Sequence, residues 1–134
     1  EIPRNAIKLW TKSFATRGYF DENKKLIRKL KKKGYKVACI SNTIFPHYKY
    51  HKENHDYDIF YFAALSCEIG MRKPEKEIFI YATKKLDLKP AECVFIDDEK
   101  KYIVAAKSVG MKAIKFKDEK QLERRLVSLS VKVN

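Results

Sequence analysis

Short apolar runs alternate along this chain with longer stretches in which apolar positions recur at helical spacing. Lys36-Val-Ala-Cys-Ile40 is compact and apolar, which predicts a buried strand ending at the polar Ser41-Asn42-Thr43. Phe62 to Ser66 is a second strand candidate, and Cys93-Val-Phe-Ile96 is a third that stops at Asp97-Asp98. Lys112 to Phe116 alternates and predicts a last strand. Between these runs lie the predicted helices. One is capped by Asp21, carries Leu26, Ile27 and Leu30 and is closed by Gly34. A second spans about Pro46 to Lys52. A third opens at Lys73-Pro74, with Pro74 in its first turn, and carries Ile78, Phe79, Ala82 and Leu86. A fourth carries Ile103, Ala106 and Val109 and ends at Gly110, and Glu119 to Val127 forms the last. Ahead of them all, Ile2, Ala6, Leu9, Trp10 and Phe14 fall at near-helical spacing, which predicts a short helix broken at Arg17-Gly18-Tyr19.

Regular alternation of strand and helix predicts an α/β fold, a parallel sheet with helices on both faces. At 134 residues the chain forms one unit with its own core, without internal repeats or a low-complexity linker. In such sheets ligands sit beyond the carboxyl ends of the strands. Those ends carry Ser41 and Asn42, short hydrogen-bonding groups, and Asp97 and Asp98, a carboxylate pair suited to a hard cation. Lys73 stands between them at a helix start. Each has an ordinary structural reading alone: a helix cap, a turn acid pair favoured by the macrodipole, one lysine among many. At successive strand–helix junctions they form a set able to stabilise a transferring phosphoryl group or another oxyanion.

The stretches Gly34 to Thr43, Glu68-Ile-Gly-Met-Arg-Lys-Pro-Glu75 with Ile78-Phe79, Cys93-Val-Phe-Ile-Asp-Asp98, and Ala105-Ala106-Lys107 to Gly110-Met111 resemble the haloacid dehalogenase superfamily in order and spacing. The resemblance runs from about Phe20 to Phe116. It implies a Rossmann-like three-layer sandwich and a magnesium-dependent hydrolase, a phosphatase or a dehalogenase, with the metal-binding acid pair favouring a small-molecule phosphatase. Ser41, helped by Asn42, would bind the phosphate, Lys73 would be the catalytic cation, and Asp97 and Asp98 would hold Mg2+. Such enzymes pass through an aspartyl intermediate that water hydrolyses. The family's nucleophile lies in an acidic DxD motif at the end of a first strand upstream of the serine motif, and none is present here. Asp56-Tyr57-Asp58 follows that motif, in an aromatic loop. The resemblance therefore implies an incomplete core over residues 20–134 that lacks its first central strand, with residues 1–19 as the remnant of a cap or linker helix. A start at Glu1, in mid-pattern, fits a piece removed upstream. The isolated chain is expected to be inactive. It is expected to pair the two inner strands directly, to borrow a strand from a partner such as a second copy, or to come from a larger protein. A nucleophile-less binding domain is the alternative.

Composition adjusts this picture at the edges. Lys plus Arg number 30 against 17 acids, a net charge of +13 that raises a nucleic-acid alternative. The lysines are spread over every helix and no zinc-finger, RNP or KH signature accompanies them, so they read as solvated faces; the expected partner is a small anionic substrate and no membrane, with a basic nucleic-acid-binding protein as the less favoured alternative. Cys39, Cys67 and Cys93 lack CxxC spacing and read as reduced thiols in a cytoplasmic protein. His47, His51 and His55 could share a helical face, but no further ligand completes a metal site, so they read as surface histidines. Aromatic residues 57–62 read as core and dimer surface.

Overall fold

A computed structural model describes residues 7–10 and 17–134 of the chain. Strand β1 (Ile7–Trp10) is followed by helix α1 (Arg17–Lys32), β2 (Val37–Ser41), α2 (Phe45–Glu53), β3 (Ala63–Leu65) and the single turn α3 (Ser66–Ile69). Then come α4 (Lys76–Lys85), β4 (Cys93–Asp97), α5 (Lys100–Ser108), β5 (Lys112–Lys115) and α6 (Glu119–Ser128). All strands are parallel, in the order β3-β2-β1-β4-β5.

Strand alternation sorts the core into two layers. Val37 and Cys39 of β2, Val94 and Ile96 of β4, and Ile114 of β5 pack with Leu26, Ile27 and Leu30 of α1 and Leu122 and Leu126 of α6. Ala38, Ile40, Cys93, Phe95 and Ala113 point the other way, onto Ile78, Phe79 and Ala82 of α4 and Ile103 and Ala106 of α5. Successive side chains of a strand face opposite sides, so a sheet covered twice requires uninterrupted apolar runs, and every residue of β2 and β4 is buried. In the second layer Phe79 meets Phe95 edge to face, ring centroids 5.0 Å apart. This is the expected three-layer α/β sandwich.

Three expectations are corrected. The predicted helix over Ile2 to Tyr19 contains a strand instead, and α1 begins at Arg17, so Arg17-Gly18-Tyr19 is no break. Within Ile7-Lys-Leu-Trp10, Ile7 and Leu9 also fall at the two-residue period of a strand, and the gap between β2 and β4 decides between the two patterns. Two adjacent inner strands would otherwise present unpaired backbone groups. Accordingly β2 and β4 do not pair with each other. Lys8, Leu9 and Trp10 align with Val37, Ala38 and Cys39 on one side, and Ile7 to Trp10 with Cys93 to Ile96 on the other. The central position expected to be missing is therefore filled by the chain itself. Residues 1–6 and 11–16, part of the expected cap remnant, lie outside the described residues. Third, Lys73-Pro74 precedes its helix and does not open it. The ring of Pro74 disfavours helical backbone at Lys73, and α4 starts at Lys76 after a turn closed by Glu75 N–H donating to Arg72 O at 2.9 Å. The Lys73–Pro74 peptide is cis. Among the described residues no helix is long and apolar enough to cross a membrane.

Candidate functional site

The site forms at the carboxyl ends of β2 and β4, which flank β1 where the sheet order reverses direction, the usual ligand position in open α/β sheets. Strand β2 delivers Ser41, which is buried, and then Asn42 and Thr43 in the loop that follows. Strand β4 delivers Asp97, also buried, with Asp98 next to it and exposed.

Lys73 reaches this point from the turn ahead of α4. Its ammonium donates to Asp97 Oδ2 at 3.0 Å, and the two side chains are only 6% and 3% exposed. Asp97 Oδ1 accepts the backbone N–H of Glu99 at 2.9 Å, so both carboxylate oxygens are engaged. A buried ion pair survives only where further polar contacts satisfy both partners. On the lysine side, Nζ sits 4.6 Å from the centroid of the Tyr102 ring, within cation–π range.

Asn42 holds this lysine in place through its backbone. Asn42 Oδ1 accepts from Lys73 N at 2.8 Å, while Asn42 Nδ2 donates to Lys73 O at 2.9 Å. Nδ2 also points to the Tyr102 hydroxyl at a longer 3.4 Å. The expected role of Asn42 was direct help in phosphate binding; in the structure its amide is hydrogen-bonded to the Lys73 backbone. A second clasp joins the same loop to α3: Thr43 N donates to Ser66 Oγ at 2.9 Å, and Ser66 Oγ donates to Thr43 O at 3.1 Å. Ser66 and Tyr102 were not singled out from sequence. Neither lies in a motif, and each acquires its role by meeting residues 23 and 60 positions away.

Beside the Asn42 clamp opens a cleft of about 490 Å³ lined by Thr43, Ile44, His47, Cys67, Met71 and Arg72, among others. Cys67 is exposed there, whereas Cys39 and Cys93 are buried in the sheet. Burial pushes the Cys39 thiol up to about 12, partly offset by the nearby Lys73 charge, and burial likewise pushes Cys93 up to about 12. Both are core thiols, not nucleophiles. The histidines do not share one helical face: His47 and His51 lie in α2, but His55 lies beyond it with φ of 58°. His51 Nδ1 pairs with Asp56 Oδ2 at 2.8 Å and His55 Nδ1 with Asp58 Oδ2 at 3.1 Å, so the Asp56-Tyr57-Asp58 carboxylates are engaged away from the strand ends. Of the aromatic run, Phe60 is buried, Tyr57 and Ile59 pack on the core, and Tyr61 is exposed.

As to a metal, Asp97 and Asp98 carry the hard oxygen donors that Mg2+ prefers. They fit such an ion in kind, but among the described residues no cluster of three His, Cys, Asp or Glu side chains completes a protein cage. The sequence supplies no nucleophilic acid at the central strand either. β1 ends at Trp10, and no Asp or Glu occurs between Glu1 and Asp21. The arrangement can bind and polarise an oxyanion, and the central strand brings no carboxylate to attack one.

Comparison with known proteins places this geometry in a family. Residues 16–110 match the model of haloacid dehalogenase-like hydrolases. A sesquiterpene phosphatase (astK) of Aspergillus oryzae is 34% identical over 94 residues, covering 69% of this chain and 48% of the relative. The glyceraldehyde 3-phosphate phosphatase of Pyrococcus furiosus is 35% identical over 103 residues, covering 75% of this chain and 42% of the relative. The chain thus spans less than half the length of these two relatives. Among solved structures, a HAD family enzyme of Bacteroides thetaiotaomicron in complex with magnesium and inorganic phosphate superposes with a TM-score of 0.66 and 32% identity, covering 76% of this chain and 56% of that one. A Corynebacterium glutamicum protein reaches a TM-score of 0.80 at 18% identity over 97% of this chain and 98% of its own, a likeness of fold.

Proposed function

From the premise that this chain belongs to the haloacid dehalogenase-like hydrolases, we propose that it supplies the phosphate- and metal-binding half of a phosphatase site that acts on small phosphate esters. The observation that carries this reading is the buried Lys73–Asp97 pair, held by the Asn42 clamp beside Ser41 at the carboxyl end of the inner strands. A cation fixed in a dry site is worth more to an oxyanion than one in water, because it needs no reorganisation when charge develops. The phosphatase names of the relatives, and the magnesium and inorganic phosphate bound to the Bacteroides enzyme, support phosphoryl chemistry over dehalogenation.

In this reading Ser41 donates its hydroxyl to a phosphate oxygen, and the two Lys73 ammonium protons not directed at Asp97 stabilise the anion. Asn42, Tyr102 and Ser66 position these groups. The cleft beside Asn42 accommodates the leaving group. Asp97 and Asp98 would hold Mg2+, with water and substrate completing its shell; when bound, the ion neutralises phosphate charge. The attacking carboxylate is not in this chain, so the chain alone binds without turning over. Because the central strand carries no acid at its end, a second reading is a nucleophile-less relative kept for binding. Hydrolysis of p-nitrophenyl phosphate by the full-length protein with Mg2+ separates the two. Turnover lost on Asp97→Asn supports the phosphatase. Turnover indifferent to that change sinks the site assignment, and none at all favours the binding relative.

A further inference from the structure

The lysines that the sequence spreads over every helix are gathered by the topology. Since the strands are parallel, α1, α4 and α5 each run back against the sheet, and their carboxyl ends meet at the edge where strands begin. The end of α6 arrives there too, as Lys132 N–H donates to the Tyr35 hydroxyl at 3.0 Å just ahead of β2. The last turns at this edge carry Lys31 and Lys32, Lys84 and Lys85, and Lys107. The helix macrodipole accounts for a cation in each last turn. It does not account for Lys33 and Lys36, which stand in the connection to β2 at the same edge.

Lys36 links the α1 side of this edge to the end of α4 on the other face. Lys36 Nζ donates to Leu86 O at the end of α4 at 3.1 Å and lies 5.2 Å from the centroid of the Tyr61 ring. Lys31 Nζ donates to Ile59 O at 2.8 Å. Tyr61 N–H donates to Val37 O, which sets this 58% exposed tyrosine beside the start of β2, among the lysines. Among the described residues no carboxylate lies within ion-pair distance of Lys32, Lys33, Lys84, Lys85 or Lys107. The acids of this edge are engaged or outnumbered: Asp58, next to the Ile59 that Lys31 reaches, pairs with His55 at 3.1 Å, Asp56 pairs with His51 at 2.8 Å, the Glu92 carboxylate is held by the Lys89 N–H at 3.1 Å, and Asp87 follows α4.

We propose that this basic edge, at the opposite end of the sheet from the candidate active site, binds single-stranded nucleic acid, with the lysines on its phosphates and Tyr61 as a stacking surface. Sequence-tolerant binders of single strands combine these two elements, cations along the backbone and an aromatic face for a base. Five strands span roughly 19 Å at about 4.8 Å per gap, enough for several consecutive phosphates. An acidic membrane is the weaker match, since Phe45 and Ile44 stand at the other end of the molecule, around α2, and Val127 in the last turn of α6 is a single exposed aliphatic side chain near this edge. The proposal does not depend on the phosphatase reading.

The test is fluorescence anisotropy of the 134-residue chain with labelled oligouridylate of about 20 nucleotides, at salt from about 50 to 200 mM. Binding is expected, with a log–log salt slope of roughly −3, for four phosphates at about −0.7 each. The triple variant K32E/K33E/K85E should weaken it at least about tenfold, Tyr61→Ala about fivefold, and the equally charged control K76E/K100E/K117E less than about threefold. Amide shifts of the wild-type chain on titration should cluster around Tyr35–Val37 and Leu86–Leu88, a readout that needs no variant to fold. Absence of binding at low salt, equal losses in the two triples, shifts centred on Asp97, or capture by phosphatidylserine vesicles without RNA binding would each overturn the proposal.

Discussion

Replacing Lys73 by Met removes the ammonium from a buried pair and leaves the Asp97 carboxylate where water does not reach it. Stripping one partner from such a pair costs about 3–5 kcal/mol, several times an exposed pair, because the residual charge stays desolvated. A domain of this size has about 5–15 kcal/mol in total. The loss should thus consume about a fifth or more of the stability and lower Tm by about 10–20 °C. The double variant Lys73→Met/Asp97→Asn removes both charges and keeps much of the volume, and should recover most of the loss. Urea unfolding followed by far-UV circular dichroism on the wild type, both single variants and the double variant closes a mutant cycle. A coupling energy above about 2 kcal/mol is expected. Strictly additive singles costing under about 1 kcal/mol each would refute the reasoning, because the pair would then behave as a solvated surface contact.

Other outcomes follow from the same geometry. Asn42→Ala removes both hydrogen bonds to the Lys73 backbone and should cost about 1–3 kcal/mol, with Asn42→Asp intermediate, read by urea midpoint. Iodoacetamide at neutral pH should label the folded chain at Cys67 alone and at all three cysteines after unfolding, read by intact mass. Because folded Cys39 and Cys93 hold their protons up to about pH 12 while an unfolded thiol releases its proton near 8.5, the unfolded state binds fewer protons in that window. Stability should therefore fall as pH rises above about 8.5, and Cys39→Ala should flatten the fall, as read by urea midpoints. Phe95→Leu breaks the edge-to-face contact with Phe79 and should cost about 1–3 kcal/mol, read by thermal unfolding.

Much of this fold was legible because a doubly covered sheet leaves a distinct imprint. β2 and β4 are short apolar runs ending in polar residues, and both appear within a residue or so of their predicted places. β1 was not legible. Its four residues fit a strand and a helix equally well, and the choice is made by partners on both sides that local pattern does not contain. The start of α4 was misplaced because Pro74 tolerates a helix start but restricts Lys73 before it. At the site, motif order pointed to Ser41, Lys73 and Asp97 as neighbours. The Asn42 clamp and the Tyr102 ring beneath Lys73 were hidden, since they depend on where the turn before α4 and the first turn of α5 meet. The convergence of lysines was hidden for the same reason: sequence lists charges by helix, and only the parallel sheet puts the helix ends together.

The central claim is that this chain holds the phosphate and metal half of the site and lacks the attacking acid. Isothermal titration of inorganic phosphate into the chain, with and without Mg2+, tests it most directly. The account predicts saturable phosphate binding that strengthens with Mg2+ and is lost in Asp97→Asn; binding absent from the wild type, or unchanged in that variant, would contradict it.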